Sequence, residues 1–157
     1  MRILPVLAFS LIALPAVAAM PPLGNGYGAI DAPRDIDPLT LAQRFCDARI
    51  AESDMGALAR YFAPKLTRLL EQHASAHLTA PVPWQSHEQR PTGCSLEVVN
   101  GFDDTIGVLV KLTYTANGTT WSDTLNLERT PDSWLINNVF YDGGGNLRFR
   151  LVDSLGS

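Results

Sequence analysis

A carboxylate on a strand face that ought to be dry is the first residue in this chain able to do chemistry. Asp123 falls at strand spacing between Trp121 and Leu125, with Leu127 continuing the same face. Burying a carboxylate without a cation or donors is expensive and lifts its pKa toward the range of a general base. That makes Asp123 the candidate base of a small enzyme. The more ordinary account is a strand register reversed by a bulge, or an ion pair with Arg49 or another cation. Arg49 is the matching oddity, a charge on an otherwise apolar helical stripe. It reads as a partner for Asp123, as a clamp for an anionic ligand or, more simply, as a side chain that snorkels with its head in water.

The other chemical candidates are weaker. His73 and His77 share a helix face and His87 follows, but Ala74 stands where a zinc-protease helix needs glutamate. The spacing therefore predicts no metal site, and the pair reads as a solvated helix end. Ser75, Ser86 and Ser95 lack the small neighbours of a nucleophile elbow. Gly143-Gly144-Gly145 before a helix start could cradle an anion, yet no phosphate-loop lysine or dinucleotide spacing follows, so a turn off the sheet is the simpler reading. Tyr27, Tyr61, Trp84 and Trp121 have no fixed place in the core pattern. Trp84, in a proline-rich loop, suits a pocket mouth, a partner surface or plain packing. The candidate ligand-binding set is thus Asp123, Arg49, Trp121, Tyr61 and Trp84, with no cofactor expected.

The elements that must position these residues begin after an export signal. Arg2 and the apolar run to Leu14, then Ala16-Val17-Ala18, form a secretory signal over 1–18 with cleavage after Ala18 or Ala19. An uncleaved anchor is the alternative, but the run falls short of the about 20 residues needed to span a bilayer. Removing Arg2 takes the net charge from −4 to −5, no field for nucleic acid or anionic lipid. The expected location is periplasmic or secreted, with no membrane anchor once the signal is cut. In an oxidising compartment the two cysteines suggest one bond, Cys46–Cys94, with two buried thiols as the alternative.

Hydrophobic residues at 46% against 18% charged permit a core, and the length suits one domain. Residues 19–37 read as a flexible Pro/Gly-rich leader and 38–155 as a single α+β domain. Asp37-Pro38 opens a first helix with Leu39, Ala42, Phe45, Cys46, Arg49 and Ile50 on its stripe. Ser53 and Asp54 cap a second through Leu58, Tyr61 and Phe62, and Pro64 opens a third carrying Leu66, Leu69, Leu70 and His73. A loop from Thr79 to Gly93 crosses to a strand near Cys94. Then Ile106, Val108, Val110, Leu112 and Tyr114 alternate inward, Asn117-Gly118 makes a tight hairpin, and Trp121 to Leu127 returns. The run Trp134 to Tyr141 is apolar on both faces, which predicts an internal strand covered on each side. Asn146 caps a short closing helix or tail.

Leu58-Ala59-Arg60-Tyr61-Phe62-Ala63-Pro64, followed by a meander ending in Trp134-Leu135-Ile136-Asn137-Asn138-Val139, resembles the nuclear-transport-factor-two-like (cystatin-like) superfold over roughly Leu39 to Leu151. That superfamily houses ketosteroid isomerase and scytalone dehydratase, and the chain is most similar to its small exported bacterial members of unassigned function. The resemblance implies about four antiparallel strands curved around N-terminal helices to form a cone. The catalytic aspartate and oxyanion-hole tyrosine of those enzymes have no matching positions here, so their activity does not carry over. The leading expectation is a noncatalytic exported module binding a small molecule or an exported protein. The alternatives are an isomerase- or dehydratase-like enzyme with Asp123 as base, and a periplasmic inhibitor or immunity-type partner. A flat threonine face of Thr113, Thr115, Thr120 and Thr124 suits a homodimer.

Overall fold

The computed structural model describes residues 36–51, 55–76, 81–100 and 107–156. The signal at 1–18, Tyr27 and the rest of the leader up to residue 35, the Ser53 and Asp54 caps, His77, the start of the crossing loop at Thr79, and Ile106 lie outside them. The described chain runs α1 (Pro38–Ala51), a 3-10 helix (Met55–Tyr61), α2 (Pro64–Ser75), β1 (Gly93–Asn100), β2 (Gly107–Ala116), β3 (Thr119–Arg129), β4 (Trp134–Tyr141) and α3 (Leu147–Leu155). The four strands form one antiparallel sheet in the order β1-β2-β3-β4, with the helices packed on it. The architecture is the expected α+β one.

Local chemistry explains most boundaries. Asp37 caps α1 by accepting from the Thr40 amide at 3.0 Å and from its hydroxyl. Those bonds hold its carboxyl below the ordinary value. Pro64 opens α2 at a position where a missing amide costs nothing. Asn117 and Gly118 adopt φ of 48° and 80°, the paired left-handed positions of a two-residue hairpin. Gly143, Gly144 and Gly145 all take positive φ, turning the chain from β4 to Asn146, whose Oδ1 accepts the Phe149 amide at 3.0 Å and starts α3.

The strand alternation places Val108, Val110, Leu112 and Tyr114 from β2 and Trp121, Asp123, Leu125 and Leu127 from β3 on the helix-covered face. Two expectations need correction. On α1 the buried set is Pro38, Leu41, Ala42, Phe45, Cys46 and Ala48, while Leu39 is exposed and Arg49 and Ile50 sit at the margin. The stripe is centred about a third of a turn from Leu39. The second concerns β4, which is an edge strand and not an internal one. Asn126 faces Asn138 while Leu127 faces Ile136, so Asn137 is an extra residue, a β-bulge. The bulge changes the inward phase from Ile136 to Val139 and Tyr141. That shift, and not cover on both sides, is why β4 reads apolar throughout. The open edge is blunted by Phe62 bridging Ile136 and by Asn146 bridging Phe140.

Cys46, fully buried on α1, is bonded to Cys94 at the start of β1, with Cα atoms 5.9 Å apart. α1 packs on β1 and β2, while α2 and α3 pack on each other and on β4.

Candidate functional site

The hairpin register builds the site. With two residues in the turn, Tyr114 must face Trp121 and Leu112 must face Asp123, and β4 adds Tyr141 on the other side of Asp123. One end of the covered face therefore carries two tyrosines, a tryptophan and a carboxylate side by side. Residues 81–92 pass over them without regular structure.

Asp123 is 2% exposed and faces inward, so the reversed register considered for β3 does not occur. Its pairing differs from the ion pair considered for it. Oδ2 accepts the Ser86 amide at 2.9 Å and Oδ1 the Asp142 amide at 3.3 Å. A carboxylate that accepts main-chain amides is satisfied without a cation. Asp123 thus ties the crossing loop and the glycine turn to the sheet. Arg49 does not snorkel into water. Its Nε and Nη2 both donate to Gln85 Oε1 at 3.2 Å, and the buried Gln85 spends its amide on the His87 and Gln89 carbonyls, each at 2.7 Å.

The remaining candidates divide. Trp121 joins Asp123, its ring stacked with Tyr114 at 5.5 Å and with His87 at 4.7 Å. Trp84 packs inward, stacked on Phe62 at 5.4 Å and edge-on to Phe45 at 6.4 Å. Tyr61 is engaged elsewhere, its hydroxyl accepting from Arg44 Nη1 at 2.6 Å. His73 is buried, which corrects its reading as a solvated helix end, and among the described residues no three His, Cys, Asp or Glu side chains group to hold a metal. No helix among those residues is long and apolar enough to cross a membrane.

Sequence reasoning missed Tyr114, Tyr141, Gln85 and Ser86. Tyr141 donates its hydroxyl to the Pro83 carbonyl. Tyr114 Oη and Trp121 Nε1 are the notable pair: both are buried and neither meets an acceptor among the described residues. A buried donor without an acceptor costs about 1–3 kcal/mol. No family model, curated protein or solved structure matches the chain. The site's chemistry must be read from its own geometry.

Burial first, and then the negative charge of Asp123, push both tyrosines well above the ordinary phenol value, while Arg49 opposes this at Tyr114 and Arg150 at Tyr141. Both stay protonated donors at neutral pH. Above pH 10.0, the ordinary phenol pKa, the unfolded chain releases protons that the folded chain keeps. Stability contributed by these groups is complete below that pH and falls as pH rises through the raised folded values. Urea midpoints measured from about pH 8 to about pH 11 are expected to drop on the alkaline side, with a shallower drop in Tyr114→Phe.

Proposed function

We propose that this chain is an exported, noncatalytic binding module of the nuclear-transport-factor-two-like type. Its site is the row of Tyr114 and Trp121, and it takes a small molecule that presents a hydrogen-bond acceptor. The observation that carries the reading is the pair of buried donors, neighbours across β2 and β3, which both lack an acceptor among the described residues. Native interiors rarely leave such groups unmet, so two of them side by side point to a guest acceptor. The negative charge of Asp123 nearby favours a neutral guest, such as a carbonyl compound, over a carboxylate. Export is supported by the signal-like first 18 residues and by the Cys46–Cys94 bond.

The rival, Asp123 as a general base, is weakened by geometry. A base must reach a substrate proton, and Asp123 is 2% exposed with its carboxylate engaged in holding two backbone amides.

The test is a thermal-shift and ligand-observed NMR screen of small neutral carbonyl compounds on wild type and Tyr114→Phe. At least one compound should bind wild type, and losing one neutral hydrogen bond should weaken it by about three- to tenfold in the variant. Free Tyr114→Phe should be about 1 kcal/mol more stable than wild type, since it removes a buried hydroxyl without an acceptor. Equal binding by both proteins, or by neither, removes the reading.

A further inference from the structure

The two donors lie beneath chain that a guest would have to pass. Trp121 stacks with His87 of the crossing loop and with Tyr114 of β2. Neither donor atom is open to solvent. His87 belongs to the crossing loop, and the sheet and α1 hold that loop at three polar points. Asp123 takes the Ser86 amide, Tyr141 donates to the Pro83 carbonyl, and Arg49 donates to the Gln85 side chain.

The C-terminal end of the loop is fastened differently. Arg90 gives two hydrogen bonds to the Ile50 carbonyl, at 2.9 and 2.7 Å. The Thr92 amide donates to the Thr115 carbonyl at 2.7 Å, and Cys94 carries the disulfide two residues later. None of these bonds involves the site. They make a fixed end about which the preceding residues can move.

Resting on the binding reading above, we propose that residues 81–89 form a strap that lifts off Trp121 and Tyr114 to admit the ligand, with Asp123 as its latch. The buried carboxylate is then a positioning residue that sets how often the site opens. Its acceptors make it suited to that role. One oxygen holds the strap while the other holds the glycine turn, so the Ser86 bond can break while Asp123 stays anchored through Asp142. Tyr141 acts in the same sense from β4, so two side chains on the sheet grip the strap.

Such a strap should open as a unit separate from the sheet, as loops over binding sites commonly do. Hydrogen exchange followed by mass spectrometry on the full chain tests this without any ligand, so its outcome is independent of the compound screen. In Asp123→Asn, one acceptor oxygen becomes an NH2 group. Amides in 82–89 are expected to exchange at least tenfold faster than in wild type while β2 and β3 are unchanged. Tyr141→Phe, a gentler change, should accelerate the same amides several-fold. Acrylamide quenching of tryptophan fluorescence should rise about twofold in both variants as the strap uncovers its aromatic contacts. Strap amides that exchange only in step with β3 in the variants, or quenching that stays at the wild-type level, would overturn the proposal. If Asp123→Asn does not fold, Tyr141→Phe decides alone.

Discussion

Replacing Asp123 with alanine is expected to destabilise the protein by about 3 kcal/mol, because two buried backbone amides lose their acceptor together. The sign of this change separates an anchor from a catalytic group. Catalytic carboxylates in apolar surroundings commonly cost stability, and removing them leaves a protein unchanged or more stable. Asp123 instead satisfies Ser86 on the crossing loop and Asp142 at the glycine turn, two segments far apart in sequence. Chemical denaturation of wild type and Asp123→Ala measures the difference. A midpoint that stays put or rises would return Asp123 to the role of a base.

The second large effect is expected from the disulfide. Cys46 and Cys94 are 48 residues apart in sequence. Closing a loop of that length is worth about 4 kcal/mol in the chain-entropy model. For a domain of this size that corresponds to roughly 15 °C in melting temperature. The bond spans α1, the 3-10 helix, α2 and the crossing loop, so every helix before the sheet is tethered within it or at its edge. Cys46→Ala with Cys94→Ala, melted alongside wild type, should show that drop. The sulfur of Cys46 sits in a fully buried position, so alanine there also removes some packing. Wild type melted in excess reductant isolates the bond, and a loss under about 1 kcal/mol there would mean the helices hold their place without it.

Much of the covered face could be read directly. Period-two alternation put Val108 to Tyr114 and Trp121 to Leu127 inward, and Asp123 with them. The Asn117-Gly118 turn goes further, because a two-residue hairpin fixes every opposite pair up the strands. Tyr114 facing Trp121 was therefore legible, and the polar tip of a tyrosine beside an inward aspartate is the signal that would have found it. Tyr141 was not legible in the same way. Its inward direction depends on the bulge at Asn137, and no residue type announces where a strand gains one extra residue. The same bulge made an edge strand look internal.

By itself, then, the sequence determined the elements, the caps at Asp37 and Asn146, the hairpin register and the pairing of its only two cysteines, and its alternation offered an inward Asp123. Each of these follows from side-chain type and spacing within a short stretch of chain. Only the tertiary structure decided what Asp123 holds. Its partners are the backbone amides of Ser86 and Asp142, and a backbone amide is the same group in nearly every residue. Nothing in the side chains of those two residues marks them as donors. They became partners because an irregular loop and a glycine turn, both without periodicity, cross the sheet at the level of one buried carboxylate.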